Sequence, residues 1–166
     1  MSAFDGGPAF PSTRKIRHPQ PGLGTGAFTE KIVSKLAPGA VFFAMDINPE
    51  FVEVTRRRCP GIRVIQDSVE NARRHLESLG RKNCSRIICG LPWASFPGPL
   101  QDKLLAAIDD ILVPGGGFFT FAYLQGLLLP AGQRFRKKLA AHFSSVTTTP
   151  TVWRNLPPAF VYCARK

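Results

Sequence analysis

The stretch Pro21-Gly22-Leu23-Gly24-Thr25-Gly26-Ala27-Phe28 decides how this sequence of 166 residues is interpreted. It is a G-x-G-x-G loop, and the segment that follows, residues 27–36, has apolar residues at helical spacing. Glycines at alternate positions let the backbone turn tightly and approach a ligand without a Cβ atom in the way. Such a loop is weak evidence alone because glycine-rich turns are common, so its meaning depends on the segments that follow it.

Beyond the loop, short apolar runs typical of strands alternate with segments of helical spacing. The predicted strands cover residues 40–45, 62–66, 86–89, 118–122, 145–151 and 159–164. The predicted helices cover residues 27–36, 49–59, 69–79, 100–112 and 131–143. This alternation indicates a mostly parallel sheet with helices on both faces, and the two final strands, with no full helix between them, indicate an antiparallel pair. The sequence therefore predicts an α/β fold, a Rossmann-like three-layer sandwich.

Two carboxylates come at the ends of neighbouring predicted strands. Asp46 lies twenty residues beyond Gly26, where an acid can accept hydrogen bonds from ribose hydroxyls. Asp67 ends the next strand and could bind an adenine amino group. Ile47 and Ser68, which directly follow the two carboxylates, belong to the same candidate site. Because both acids also precede predicted helices, each could instead be a helix cap.

The fourth predicted strand ends in Gly90-Leu91-Pro92-Trp93, at the same edge of the sheet as the two carboxylates. Ligands of such sheets bind at the carboxyl ends of the strands. Tyr123 follows the next predicted strand. These five residues are the candidate catalytic residues, although Trp93 could instead be only a core residue.

These motifs resemble those of the class I S-adenosylmethionine (SAM) dependent methyltransferases. The most similar members are the soluble bacterial phospholipid N-methyltransferases, which are in turn similar to the rRNA adenine dimethyltransferases. The resemblance runs from about Gly22 to Arg165. Its most specific segments are GLGTGAFTE (22–30), AMDINPEF (44–51), QDSVEN (66–71), GLPW (90–93) and VWRNLPPAFVY (152–162).

The resemblance implies SAM as the cofactor, and it implies that the glycine loop and the two carboxylates bind different parts of SAM. It implies that Gly22, Gly24 and Gly26, with Thr25 between them, hold the methionine part of SAM. By the same resemblance Asp46 binds the ribose and Asp67 the adenine.

The segment after the fourth strand helps to choose the methyl acceptor. Adenine dimethyltransferases typically have an Asn where this sequence has Gly90, and glycine has no side chain to grip the amino group of a base. A lipid amine needs fewer specific side-chain contacts than a base does. Trp93 and Tyr123 could offer cation–π contacts to a methylated amine. We therefore expect methyl transfer to the phosphatidylethanolamine headgroup. The alternatives are an RNA (adenine) N-methyltransferase and a degenerate, non-catalytic SAM-fold protein that binds an anionic surface.

The charge balance indicates an anionic partner. Twenty-two Lys and Arg face eleven Asp and Glu, a net charge of +11, and no acid follows Asp110. A field of one sign attracts lipid headgroups or RNA, and its sign alone does not separate the two. The cations that could meet a lipid phosphate are Arg134, Arg136, Lys137, Lys138 and Arg154. We expect a cytoplasmic protein, peripheral at the inner membrane.

The segment before the loop departs from the family pattern. Residues 1–21 are predicted to be irregular because of their many prolines and glycines, and the methyltransferase domain is predicted to span 22–166. Pro19 and Pro21 stand where the family has a central first strand, and the acid that usually ends it is missing. We therefore expect a degenerate first strand, a truncated N-terminal segment, and weak SAM binding.

Neither a metal site nor a membrane span is predicted. The four cysteines form no CxxC pair and have no histidine at metal-ligand spacing. Residues 111–133 carry no charge, but glycines and prolines interrupt them, so a turn, a buried strand and a loop explain them better than a spanning helix.

Overall fold

The computed structural model describes residues 1–5 and 27–166. The strands are β1 (Ser2–Asp5), β2 (Val41–Asp46), β3 (Arg63–Gln66), β4 (Cys84–Cys89), β5 (Leu112–Tyr123), β6 (Ser145–Thr148) and β7 (Ala159–Arg165). The α-helices are α1 (Ala27–Val33), α2 (Pro49–Arg58), α3 (Ala72–Glu77), α4 (Gly98–Ile111) and α5 (Pro130–His142). Short 3-10 turns cover Val69–Asn71, Trp93–Ser95 and Leu124–Leu128.

The strands form one sheet in the order β3-β2-β1-β4-β5-β7-β6. The pairs β2–β3 and β4–β5 are parallel, β7 is antiparallel to both β5 and β6, and β1 is antiparallel to both β2 and β4. Strands β2 to β6 therefore share one direction, and β1 and β7 oppose it. The predicted α/β fold with an antiparallel C-terminal pair is confirmed.

Two apolar clusters lie on opposite faces of the sheet and produce the three layers. Alternate residues of β2 divide between them, since Phe43 belongs to the larger cluster with α4 and α5 and Phe42 to the smaller one with α1 and α2. Phe43 is 1% exposed, and Leu105 and Leu139 on the helices that cover it are 0% exposed. A sheet buried on both faces explains why its strands are continuous apolar runs in the sequence.

The prediction that residues 1–21 are irregular is wrong for Ser2–Asp5. This segment fills the gap between β2 and β4, where Ala3 pairs with Phe43 on one side and Ile87 on the other. Without it, two central strands would present unpaired backbone groups to the protein interior, which is costly. The prolines and glycines behind the prediction all come after Asp5, and residues 6–21 lie outside the described residues. The strand runs antiparallel to both of its neighbours.

Other boundaries shift for local reasons. The turn predicted within residues 111–133 is the bulged start of β5. There Gly115 has φ +74°, its N–H donates to the Lys166 carbonyl, and the Lys166 N–H donates to the Gly116 carbonyl. The helix predicted over 69–79 is a 3-10 turn followed by the short α3. Among the described residues no helix is both long and apolar enough to cross a bilayer.

Candidate functional site

The carboxyl ends of β2 and β3 bring Asp46 and Asp67 together. The Asp67 backbone N–H donates to the Asp46 carbonyl at 3.1 Å. One carboxylate oxygen of Asp46 accepts the N–H of Asn48 at 2.8 Å, and the Asn48 side chain in turn accepts the N–H of Glu50. Asn48, and not Asp46, is therefore the N-cap of α2, which removes the capping alternative for Asp46.

Asp67 sits inside a set of donors from its own chain. Oδ1 accepts the Ser68 N–H and the Asn71 amide, both at 2.7 Å, and Oδ2 contacts Arg74 at 2.9 Å and His75 at 2.7 Å. These bonds, that of Asn71 foremost, hold the pKa of the Asp67 carboxyl well below its usual range. A carboxylate has about four acceptor positions, so an adenine amino group would have to displace one of these donors.

Sequence reasoning missed Asn71, Arg74 and His75 as partners of Asp67. Their positions, four, seven and eight residues beyond the acid, would place them on one helical face, and that spacing is the signal that could have found them. The hydroxyl oxygen of Ser68, a residue predicted to bind the cofactor, accepts the Glu70 N–H at 3.4 Å.

Ile47 lies beside Asp46 with 71% of its surface exposed. An exposed branched apolar side chain next to a half-buried carboxylate suits a ligand that has both a flat apolar ring and hydroxyl groups. The chemistry of these two residues therefore fits the adenosine part of SAM. Gly22, Gly24, Thr25 and Gly26 lie outside the described residues.

A cleft of about 390 Å³ opens at the carboxyl ends of β4 and β5. All five candidate catalytic residues line it: Gly90, Leu91, Pro92, Trp93 and Tyr123. It is also lined by Ala94, Ser95, Phe121, Ala122, Gln125, Gly126, Leu127, Leu129, Gly132, Phe135 and Tyr162. Among these lining residues none carries a charged side chain, and five are aromatic.

Trp93 is at once a core residue and a wall of this cleft. It is 3% exposed, stacks on Phe135 with ring centroids 4.4 Å apart, and donates its indole N–H to the Thr120 hydroxyl at 2.8 Å. Three ring contacts, with Phe135, Phe96 and Phe118, and a buried hydrogen bond fix its orientation. Tyr123 is 41% exposed at the end of β5, where the cleft meets solvent.

Gln101 joins the two sides of the cleft, and sequence reasoning missed it. It is 0% exposed on α4, and its amide nitrogen donates to the carbonyls of Trp93 at 2.8 Å and Ala131 at 3.1 Å. Within the described residues its amide oxygen is buried without a hydrogen-bond partner. These bonds link segments thirty residues apart in the chain, so no local pattern reveals them.

Of the five cations predicted to meet a lipid phosphate, Lys138 is already engaged. Its ammonium contacts the Asp102 carboxylate at 2.6 Å and the Gly98 carbonyl at 2.7 Å. Arg134, Arg136 and Lys137 are exposed on α5, and Arg154 is exposed in the loop between β6 and β7. Within residues 1–5 and 27–166, no group of three His, Cys, Asp or Glu side chains is placed to hold a metal ion.

The sheet order, the helices on both faces and the reversed β7 are those of the class I SAM-dependent methyltransferase fold. No family model matches the chain. It is 29% identical over 147 residues to an ornithine lipid N-methyltransferase of Singulisphaera acidiphila, a match that covers 87% of this chain and 72% of the relative.

Two solved structures show the same fold. One is the N-methyltransferase NodS of Bradyrhizobium japonicum in complex with S-adenosyl-L-homocysteine (TM-score 0.56, 14% identity, 86% of this chain and 73% of that one). The other is an rRNA methylase of Streptococcus thermophilus (TM-score 0.52, 16% identity, 74% and 72%). The chain therefore has the class I methyltransferase fold.

Proposed function

We propose that this enzyme transfers methyl groups from SAM to the amine of a lipid headgroup, with phosphatidylethanolamine as the acceptor. The observation that carries the proposal is the cleft at the ends of β4 and β5, whose described lining has five aromatic rings and no charged side chain. A methylated ammonium is attracted to aromatic faces, and an uncharged lining leaves the charge of a headgroup phosphate outside. The similarity to a lipid N-methyltransferase supports the same class of acceptor.

Asp46 and Ile47 would hold the adenosine of SAM, through the ribose hydroxyls and the ring respectively. Asp67 and Ser68 complete this edge from the end of β3. When bound, SAM supplies an activated methyl group. The chain contributes binding, orientation and exclusion of water, so no nucleophilic side chain is required.

The cleft would hold the acceptor nitrogen with its lone pair directed at that methyl group. The nitrogen must be neutral to form the new bond, and it leaves each transfer either as an ammonium or after losing a proton. The described lining has no carboxylate and no histidine, and its open side, where Tyr123 lies, offers that proton a direct path to solvent. Trp93 and Tyr123 would face the nitrogen as its charge develops.

RNA is the second candidate acceptor, favoured by the net charge of +11. The residue at the end of β4 counts against it. Gly90 is exposed at the rim of the cleft and has no side chain with which to accept the amino group of a base. The fold does not separate the two, since lipid and RNA methylases both appear among its relatives.

Radiolabelled methyl transfer from SAM tests the proposal, with three acceptors in parallel: phosphatidylethanolamine vesicles, ornithine lipid vesicles and ribosomal RNA. We expect label in phosphatidylethanolamine. Label in ornithine lipid alone would support a lipid headgroup as the acceptor but would show that the acceptor is not phosphatidylethanolamine. Label in RNA alone would overturn the lipid proposal, and label in none of the three would favour a non-catalytic protein.

Tyr123 offers an internal control because its ring and its hydroxyl can be removed separately. Tyr123→Phe keeps an aromatic face and should keep most of the activity. Tyr123→Ala should lower kcat on lipid by about tenfold, since a cation–π contact of about 1–2 kcal/mol is lost. Equal activity of the two variants would remove Tyr123 from the acceptor site.

A further inference from the structure

Two loops beside the cleft expose large apolar side chains to solvent. In the turn after β5, Leu128 is 81% and Leu129 48% exposed. In the loop between β6 and β7, Trp153 is 71% and Leu156 97% exposed. Side chains of this size are usually buried, and so many at one edge mark an interaction surface.

Backbone hydrogen bonds bring these loops to the same edge of the sheet. Because β7 runs antiparallel to β5, Ala159 at its start pairs with Tyr123 at the end of β5. The Leu124 N–H donates to the Pro158 carbonyl at 2.9 Å, and the Val152 N–H donates to Ala159 at 2.7 Å. The four exposed side chains, Leu128, Leu129, Trp153 and Leu156, therefore lie on loops at the edge of the sheet where the cleft opens; we call them the rim.

The chain segments that carry the rim, and α5 between them, contribute cations and no Asp or Glu. Arg154 is exposed directly beside Trp153, and Arg134 and Arg136 are exposed on α5, which begins just after Leu129. No Asp or Glu follows Asp110 in the sequence, so the chain segments that carry the rim contribute no carboxylate side chain. Apolar side chains next to cations suit the interface of a bilayer that carries anionic headgroups, and tryptophan is enriched at that depth.

We infer that the rim is the membrane-docking surface of this enzyme: its four side chains enter the interface of an anionic bilayer, and Arg154 and Arg134 meet the headgroup phosphates. The inference rests on the proposed function, because a rim inserted in the bilayer would bring the mouth of the cleft to the depth of the lipid headgroups that it methylates. Docking itself can be measured without methyl transfer.

Vesicle sedimentation tests the rim directly, with phosphatidylcholine and phosphatidylglycerol in equal amounts. Trp153→Ser/Leu156→Ser removes two rim side chains. Phe51→Ser/Val54→Ser is the matched control, since it removes two exposed apolar side chains of α2. We expect the rim variant to partition at least about tenfold more weakly than wild type and the control to bind like wild type. Equal binding of the two variants, or no binding by wild type, would overturn the inference.

Tryptophan fluorescence gives a second measurement of docking. It uses wild-type protein, so it does not require the double variant to fold. The chain has two tryptophans, and Trp93 is 3% exposed against 71% for Trp153. Lipids that carry a doxyl quencher near the headgroup should quench the wild-type emission, and Trp153→Phe should abolish most of that quenching while it keeps an apolar rim. Unquenched emission in vesicle-bound protein would place docking on another surface.

Two further readouts separate this inference from the proposed function. If the rim variant methylates a short-chain phosphatidylethanolamine in solution as wild type does but fails on vesicles, the rim acts in docking. If wild type binds vesicles through the rim and methylates no lipid, the docking surface stands and the proposed acceptor is wrong. Wild-type protein that dimerises through these side chains and ignores vesicles would assign the rim to a second copy, against the inference.

Discussion

Asp67 shows how one residue ties stability to pH. Its four donors lower its pKa below that of the unfolded chain, which is about 3.9 for an aspartate. The stabilisation is therefore fully present above about pH 4 and is lost as the pH falls toward the folded-state pKa. We expect the melting temperature of wild type to fall more steeply below about pH 4 than that of Asp67→Asn. Glu77→Gln, which removes an exposed carboxylate of α3, should keep the wild-type slope; identical slopes for all three proteins would contradict the role of Asp67.

The carboxylate of Asp46 is predicted to contribute to SAM binding. Asp46→Ala should weaken SAM binding by about 1–3 kcal/mol, because ribose hydroxyls lose a charged acceptor. Asp46→Asn keeps an oxygen for the Asn48 N–H and is the control for the turn into α2. Isothermal titration with SAM measures both variants. If Asp46→Ala binds SAM like wild type, the ribose contact lies elsewhere.

The sequence predicted those parts of the site that follow directly from strand ends. Asp46 and Asp67 adjoin, and the segment 90–93 lines the cleft with Tyr123, because the carboxyl ends of strands meet at one edge. What it missed depends on contacts between distant segments, as with Gln101 and its bond to Ala131. The exposure of the rim could not be predicted either, because the sequence alone does not distinguish a buried apolar residue in a loop from an exposed one.

At the scale of elements, α5 and the turn after β5 meet at two glycines. A Cβ atom added at Gly132 would lie 2.0 Å from the Gly126 carbonyl oxygen, so backbone would have to move. We expect Gly132→Ala to lower the free energy of unfolding by about 1–3 kcal/mol through overpacking. It should also weaken acceptor binding, since both glycines line the cleft. Gly98→Ala is the control, because its Cβ would lie 3.6 Å from the Lys138 ammonium, an ordinary contact. Denaturant unfolding that leaves Gly132→Ala as stable as Gly98→Ala would contradict this account.

Elements with clear local signals were predicted closely, whereas β1 and the start of β5 were not. Residues 40–45 and 49–59 match β2 and α2 to within one residue, because an apolar run and a proline-led helix are clear signals. Strand β1 has four residues, too few to show a period, and only its place between β2 and β4 makes it a strand. The bulged start of β5 depends on Lys166, fifty residues away, so its glycines looked like a turn.

At the scale of the whole molecule, the positive charge is unevenly placed along the chain. All eleven acids precede Ile111, whereas Arg134, Arg136, Lys137 and Arg154 follow it and are exposed. An anionic surface would therefore attract α5 and the loop between β6 and β7, which carry these four cations and no Asp or Glu. The attraction adds to the apolar contacts of the rim but, unlike them, is screened by salt.

This asymmetry predicts that position, and not net charge alone, controls membrane binding. Changing Arg134, Arg136 and Lys137 to Gln removes three charges of α5, and changing Lys35, Arg81 and Lys82 to Gln removes three exposed charges elsewhere. Each basic residue near an anionic bilayer contributes about 1 kcal/mol, so the first variant should lose about a hundredfold in vesicle binding at low salt and the second much less. Flotation across a salt series measures both, and wild type should approach the first variant as salt rises. Equal losses in the two variants would show that only the total charge matters and would leave α5 without a special part in docking.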